Sequence, residues 1–264
     1  MAAFLPQEVH DAFEKQAGFS LHQRVLYACY VGSTSHNTYV PSTDPNSIDD
    51  IDIMVIVLPP LEKVAGLYPW KETEQLQIGI WDVNVHSVAK YMRLLLKGNP
   101  NMLCTLWVRP EDRLACDPLF SSLLLDHRTA FSTKEVFHSF AGYAAEQLRK
   151  MSSHENAYQG YMGEKRKRLV DRFGYDTKNA AHLIRLLTMC IEFLKTGELT
   201  IFREKDGQVY RDIKSGLWPL VQVKERAQQL AREAVEAYEA STLPTEPNAR
   251  LAEEALVRLY KARW

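Results

Sequence analysis

Two aspartates separated by one residue, Asp50 and Asp52, stand at the start of an apolar stretch that predicts a β-strand over residues 51–58. Residues two apart in a strand point to the same face, so both carboxylates are expected to project together while Ile51 and Ile53 point into the core. Two neighbouring anions repel each other, and a divalent cation removes that cost. Mg²⁺ prefers oxygen ligands and commonly takes carboxylates together with water and substrate phosphates. We therefore expect Asp50 and Asp52 to be metal ligands.

A third carboxylate, Asp82, lies in the stretch 75–86, whose alternating polar and apolar residues predict another strand. If this strand pairs beside 51–58, Asp82 can reach the same cations. Three carboxylates around two cations suit an in-line displacement at phosphorus, with one cation at the nucleophile and one at the leaving group. Asp82 is also the candidate general base for an incoming hydroxyl.

A Gly32-Ser33 pair follows the strand predicted at 24–31 and is the candidate phosphate-binding turn. Glycine lets the backbone turn tightly and approach a ligand, and Ser33 and the amides after it can donate hydrogen bonds to phosphate. Most isolated Asp-x-Asp pairs are solvated strand edges or turns. The order of strand, Gly-Ser, polar loop, Asp-x-Asp and a strand with one more aspartate favours the catalytic interpretation. The neighbouring Asp49 is expected to face away and to be exposed.

A predicted helix at 177–195, with Asp176 as a candidate N-cap, carries Lys178, His182 and Arg185 at spacings of four and three. These three side chains share one face, which is suited to binding the phosphates of a nucleotide. A buried structural role for His182 remains the alternative. The core side of the same helix is predicted to be the separate apolar stripe Ala181, Ile184, Leu187 and Ile191.

The segment 149–185 is locally basic in a chain whose formal net charge is only −1. Such an excess favours polyphosphate or nucleic acid as a partner. A solvated helix face is an equally good interpretation of residues 165–168 taken alone. The basic residues are Arg149, Lys150, Lys165, Arg166, Lys167, Arg168, Arg172, Lys178 and Arg185.

The pattern of elements predicts an α+β protein. A small mixed β-sheet with flanking helices is expected within residues 1–130, and a mostly helical part within residues 131–264. Helices are predicted at 2–19, 88–97, 102–108, 133–152, 177–195, 217–239 and 247–261. A further helical segment is predicted after 152 and ends at 172.

The four cysteines form no C-x-x-C pair, and Cys29 and Cys190 stand among apolar residues, which predicts free buried thiols. No secretory signal is recognised at the N-terminus, and no apolar run approaches the roughly 20 residues needed to cross a bilayer. We therefore expect a reduced, cytoplasmic protein that does not interact with a membrane.

Residues 32–57 (GSTSHNTYVPSTDPNSIDDIDIMVIV) resemble the hallmark of the DNA-polymerase-β-like nucleotidyltransferase superfamily. Within it, the chain resembles the predicted nucleotidyltransferases associated with RNA ligases, which phages and bacteria often encode. The resemblance is also carried by the strand around Asp82, by residues 97–101 (KGNPN), and by residues 174–178 (GYDTK) with His182 and Arg185.

The resemblance implies that residues 1–130 are a nucleotidyltransferase catalytic part and that residues 131–264 complete the cleft for nucleotide and acceptor. It implies Asp50 and Asp52 as metal ligands, Asp82 as the third carboxylate, and Gly32 with Ser33 as the phosphate-side turn. The expected cofactor is a pair of Mg²⁺ ions, or Mn²⁺ in their place. The chain departs from the family pattern in its longer loop between Ser33 and Asp50.

The expected reaction is transfer of a nucleoside monophosphate from an NTP to an acceptor hydroxyl, with release of pyrophosphate. The basic segment and the family's association with RNA repair favour an RNA end as acceptor. A small molecule or a protein hydroxyl is the alternative acceptor. A catalytically silent nucleic-acid-binding protein is a second alternative. A metal-dependent hydrolase is a third, for which His36 and His86 are the candidate histidines.

Overall fold

The structure, a computed structural model, describes residues 5–41, 49–152 and 164–263. Its strands are β1 (Val25–Tyr30), β2 (Ile51–Val57), β3 (Thr73–Ile78), β4 (Trp81–Ser87) and β5 (Arg113–Cys116). Within the described residues these five strands form one sheet in the order β3-β4-β2-β1-β5. The β2–β4 pair is parallel and the other neighbouring pairs are antiparallel, so the sheet is mixed, as predicted.

The single strand predicted at 75–86 is wrong, because the chain reverses at Gly79-Ile80 and forms the β3–β4 hairpin. Ile78 pairs with Trp81 across this two-residue turn. Gly79 has a φ of +59°, and glycine at the first of two turn residues suits a tight hairpin of type II′. The polar–apolar alternation continues across the turn, which is why the pattern suggested one strand.

One face of the sheet forms the hydrophobic core with helix α1 (Gln7–Ala17), which contributes Val9 and Phe13. The alternation of β2 and β4 sends their branched side chains to this face. On this face the two strands bury Ile53, Val55, Val57, Val83 and Val85 completely. The residues between them, which include Asp52, Asp82 and Asn84 but also the buried Met54 and Ile56, point to the opposite face; we call the end of this face that carries Asp52, Asp82 and Asn84 the polar face.

The remaining helices are α2 (Gly32–Ser35), α3 (Leu61–Val64), α4 (Val88–Leu96), α5 (Pro100–Leu106), α6 (Pro118–Phe120), α7 (Val136–Ser152), α8 (Glu164–Phe173), α9 (Thr177–Thr196), α10 (Gly207–Lys214), α11 (Leu220–Ala240) and α12 (Ala249–Arg263). Helices α2 to α5 lie between strands along the chain, and helices occupy most of the described chain after β5. The protein is therefore α+β with a mostly helical remainder, which confirms the predicted fold class. No helix in the described part of the chain is long and apolar enough to cross a membrane.

The chain folds into two compact units, each assembled from separate stretches. The described residues of the first unit lie within Met1–Ser35, Asp50–Phe131 and Pro247–Trp264, and those of the second within His36–Asp49 and Ser132–Glu246. The continuous division predicted near residue 130 differs from this arrangement at 36–49 and at α12. Helix α12 belongs to the sheet-containing unit because it packs on α4, and its buried residues are Ala252, Ala255 and Leu259. The assignment of residues 1–130 as the catalytic part and of residues 131–264 as the part that completes the cleft stays a prediction.

Helix α9 is the core of the second unit, where α7, α10 and α11 pack against it. The carboxylate of Asp176 caps its first turn by accepting the Asn179 amide at 3.0 Å, as the sequence predicts. The predicted core stripe of α9 is confirmed, since Ala181, Ile184 and Leu187 are buried. Cys29 and Cys190 are free and buried, as expected.

Candidate active site

The polar face of the sheet places two of the predicted carboxylates side by side. Asp52 on β2 and Asp82 on β4 are direct register partners in the parallel pair. Neighbouring strands lie about 4.8 Å apart, and partners in register project to the same face. Asp52 is the only charged residue of β2, and it lies at the end of the strand where burial is incomplete. The expectation that the strand of Asp82 pairs beside β2 is confirmed.

Two side-chain amides hold the Asp82 carboxylate. Asp82 Oδ1 accepts a hydrogen bond from Asn84 Nδ2 at 3.2 Å and one from Gln75 Nε2 at 3.3 Å. Asn84 is two residues further along β4, and Gln75 is its register partner on β3, so all three share one face. Neutral amides orient the carboxylate without cancelling its charge.

The Gly32 turn is packed tightly against the other carboxylate. Gly32 has a φ of +61°, and a Cβ at this position would overlap Oδ2 of Asp52. Only glycine fits both the left-handed backbone and this close approach. The backbone N–H of Val31 donates to the Asp52 carbonyl at 2.9 Å, which ties the end of β1 to β2. The turn and Asp52 are therefore one local structure, although they are 20 positions apart in the sequence.

Ser33 and Asp50 flank this structure. Ser33 is buried in the short helix α2, and Asp50 is half-buried one residue before β2 begins. Across residues 5–41, 49–152 and 164–263, no three His, Cys, Asp or Glu side chains come close enough to hold a metal ion together. The structure thus brings Asp52 and Asp82 together without assembling the three-carboxylate group.

The expectation that Asp49 is exposed is wrong. Its side chain is only 1% exposed and forms ion pairs with Lys214 at 2.7 Å and Lys178 at 3.5 Å. Burial pushes the pKa of Asp49 upward, but the two ammonium groups outweigh it and hold the pKa below its ordinary value. Within the second unit, Asp49 is therefore paired with cations instead of being exposed to solvent.

Helix α9 carries its three predicted phosphate-binding residues on its half-exposed side. Lys178, His182 and Arg185 are each partly accessible, whereas the positions between them are buried. The ring of His182 lies edge-on to that of Tyr143, with 5.1 Å between centroids. A shared helix face is thus established, and the phosphate-binding role stays a prediction.

Sequence reasoning missed Lys214, which belongs with this group of cations. It lies at the end of α10, where burial lowers its pKa to about 8, Asp49 opposes that shift, and Lys178 and Arg185 add to it. The available signal was helical spacing: Lys214 follows the buried Tyr210 by four residues, so it lies on the buried side of the helix. Residues 207–214 were not predicted to be a helix, so the spacing of Tyr210 and Lys214 was not used.

The two histidines of the hydrolase alternative are placed apart from any metal-binding group among the described residues. His36 is buried with Nδ1 2.9 Å from the Ile201 carbonyl oxygen, and burial and the nearby Arg185 charge hold its pKa well below the ordinary value. His86 Nδ1 lies 3.0 Å from Thr73 Oγ1. Their contacts are those of structural histidines.

The basic segment is only partly covered by the structure. Arg168 and Arg172 are exposed on α8, as a solvated helix face requires. The side chains of Arg149, Lys150, Lys165 and Arg166 lie outside the described part of the chain. The nucleic-acid interpretation of this segment therefore remains a prediction.

A mixed sheet with paired aspartates on adjacent strands and a glycine turn against one of them is the arrangement expected of a polymerase-β-like nucleotidyltransferase. A model of the RNA repair pathway DNA polymerase beta family matches residues 6–246. The match spans most of the chain, and the protein belongs to this family.

Two further comparisons add little to this assignment. A nucleotidyltransferase-like protein from Exiguobacterium sibiricum is 11% identical and aligns over 97% of this chain and 79% of its own, with a TM-score of 0.27. At that score the likeness carries no structural argument. None of the curated proteins matches the chain in sequence.

Proposed function

We propose that the protein transfers a nucleoside monophosphate from an NTP to an acceptor hydroxyl and releases pyrophosphate. The observation that carries this proposal is the in-register pair of Asp52 and Asp82, with the Gly32 turn packed against the Asp52 carboxylate. Membership of a polymerase-β-type family supports the reaction class.

Asp52 and Asp82 fit a divalent cation as ligands. Mg²⁺ is commonly held by one or two carboxylates and completes its shell with water and substrate phosphates. The pair therefore suffices as the protein's share of such a shell, and Asp50 stands close in sequence as a third ligand. Bound Mg²⁺, or Mn²⁺ in its place, would supply charge neutralisation at the phosphates.

Asp82 is the candidate base for the acceptor. A carboxylate takes a proton from a hydroxyl when the two lie within hydrogen-bonding distance. Asn84 and Gln75 restrict the Asp82 carboxylate to one orientation on the polar face of the sheet. Asp82 is therefore a candidate both for the general base and for a metal ligand.

Gly32 and Ser33 are proposed to contact the phosphates, because the left-handed glycine exposes backbone with no side chain in the way. On the second unit, Lys178, His182 and Arg185 are the proposed phosphate-binding cations. Lys178 and Arg185 stand near Lys214, so three positive side chains lie close together, and the buried carboxylate of Asp49 pairs with two of them, Lys178 and Lys214. Such an excess favours a polyanion.

The proposed acceptor is an RNA end, and the proposed location is cytoplasmic. The support for RNA is the family's RNA repair pathway, together with the exposed Arg168 and Arg172. An RNA acceptor predicts that transfer weakens steeply as salt rises, because cations are released from the phosphates when the protein binds. Transfer to a small molecule predicts a much weaker dependence on salt.

The test uses each α-labelled NTP with Mg²⁺ and a pool of RNAs, small molecules and proteins. The proposal predicts label in the RNA fraction for wild type and for a surface control, Asp126→Asn, but not for the double variant Asp52→Asn, Asp82→Asn. Label in another fraction would change the acceptor but keep the chemistry. Equal labelling by wild type and the double variant would overturn the proposed reaction.

A further inference from the structure

The loop that joins the Gly32-Ser33 turn to Asp50 is closed at its base by one buried ammonium group. Lys214 Nζ donates to the Thr38 carbonyl at 2.8 Å and to Asp49 Oδ2 at 2.7 Å. The chain enters the loop at Thr38 and leaves it at Asp49. A single side chain therefore joins the two ends.

A backbone contact completes the closure. The N–H of Val40 donates to the same Asp49 oxygen at 2.9 Å. The Asp49 side chain is 1% exposed and that of Lys214 is 11% exposed, so their contact is shielded from water. Charge-assisted hydrogen bonds are stronger than neutral ones, and a low local dielectric strengthens them further.

We propose that Lys214 and Asp49 are a positioning pair for the carboxylate strand. Because Lys214 and the Val40 amide hold Asp49, the position of the chain is fixed one residue before Asp50. This constraint does not depend on the length of the loop between Val40 and Asp49. An open loop of this size would allow the ends many separations, and small misplacements of reacting groups are costly. This inference rests on the proposed nucleotidyl transfer.

The test compares Lys214→Met, Asp49→Asn and their double variant with wild type. Ser132→Ala is the matched control, since its hydroxyl donates a buried hydrogen bond to the Gly197 carbonyl in the same unit and touches none of the loop residues. Three quantities are measured: kcat and KM for transfer, the melting temperature, and hydrogen exchange of the Val40 amide.

Each single variant is expected to lower kcat at least about tenfold and to melt several degrees earlier. Lys214→Met leaves the buried Asp49 with only the more distant Lys178, and Asp49→Asn leaves the buried Lys214 ammonium without its closest counter-charge. The Val40 amide should exchange faster in both. The double variant removes both charges, so it should recover part of the lost melting temperature while kcat stays low. Ser132→Ala should melt earlier but keep the wild-type kcat and Val40 exchange.

Recovery of kcat together with melting temperature in the double variant would overturn the proposal, because the pair would then act through stability alone. Unchanged Val40 exchange in the single variants would also overturn it, because the loop would not depend on the pair. If wild type transfers nothing to any acceptor, the proposed function fails. The exchange measurement then still decides whether the pair closes the loop.

Discussion

Asp49 and Asp82 are the same residue type in two contrasting environments. Asp82 is half-buried on the polar face of the sheet, where it accepts hydrogen bonds from the neutral amides of Asn84 and Gln75. Asp49 is buried in the helical unit, where two lysines neutralise it. The two carboxylates therefore differ in whether positively charged side chains pair with them.

The difference shows how a carboxylate's partners decide its role. Neutral donors fix orientation and leave the charge available to a cation, whereas ammonium partners consume the charge for structure. We therefore expect substitutions of Asp82 to affect transfer and substitutions of Asp49 to affect folding as well. The predictions below test this contrast.

The largest effect is expected for Asp82→Asn. The rate of transfer should fall about 10³-fold, because an amide cannot take the proton from the acceptor hydroxyl and binds a cation less well than a carboxylate does. The melting temperature should change little, since Asn84 and Gln75 already surround the site with polar groups. Single-turnover transfer and thermal unfolding of the same preparation measure the two quantities. A large loss of both would mean that Asp82 is structural.

Asp49→Asn should cost more stability than Asp82→Asn. We expect a loss of about 3 kcal/mol in the free energy of unfolding, because Lys214 is left buried without its counter-charge. For Asp82→Asn we expect a change within about 1 kcal/mol. Urea denaturation of both variants makes the comparison, and equal losses would contradict the contrast.

Gly32→Ala tests the close approach of the turn to Asp52. The left-handed backbone and the overlap with the carboxylate should together cost about 3 kcal/mol and reduce transfer. Gly79→Ala is the matched control, since Gly79 has a similar positive φ of +59° but no atom within 4 Å of an added Cβ. It should cost only about 1 kcal/mol and leave transfer unchanged. Urea denaturation and transfer assays measure both variants. Equal losses of stability and of transfer in Gly32→Ala and Gly79→Ala would contradict the account.

The smallest expected effect is the pH dependence contributed by His36. Its pKa is held well below the ordinary value in the folded protein, so below about pH 6.5 the unfolded chain binds a proton that the native protein does not. Stability from this group is present above pH 6.5 and is lost as the pH falls, by at most about 1.4 kcal/mol per pH unit. In His36→Gln the decline between pH 6.5 and 5 should be shallower. Parallel declines for wild type and variant would contradict the assignment.

Much of the fold was predictable because its signals are local. The β2 strand is a continuous apolar run with one charge at its start, and α9 has both a cap and a clear periodicity. The β3–β4 hairpin was missed because Gly79-Ile80 does not interrupt the alternation. Helix α12 was expected to lie with the helical part, but packing on α4, which depends on distant residues, places it in the first unit.

The candidate site divides in the same way. The spacing of Asp50, Asp52 and Asp82 was readable, and the register of β2 with β4 bears out the pairing of two of them. The burial of Asp49 and its contact with Lys214 join residues 165 positions apart, and no local pattern encodes such a contact. Lys214 was missed for this reason.

The central claim is that the protein transfers a nucleotide and that this reaction depends on the in-register carboxylates Asp52 and Asp82. The most direct measurement is single-turnover transfer from an α-labelled NTP with Mg²⁺, for wild type, Asp52→Asn and the surface control Asp126→Asn. The account predicts full transfer for wild type and the control, and a loss of about 10³-fold for Asp52→Asn with an unchanged melting temperature. Wild-type rates in Asp52→Asn would contradict it.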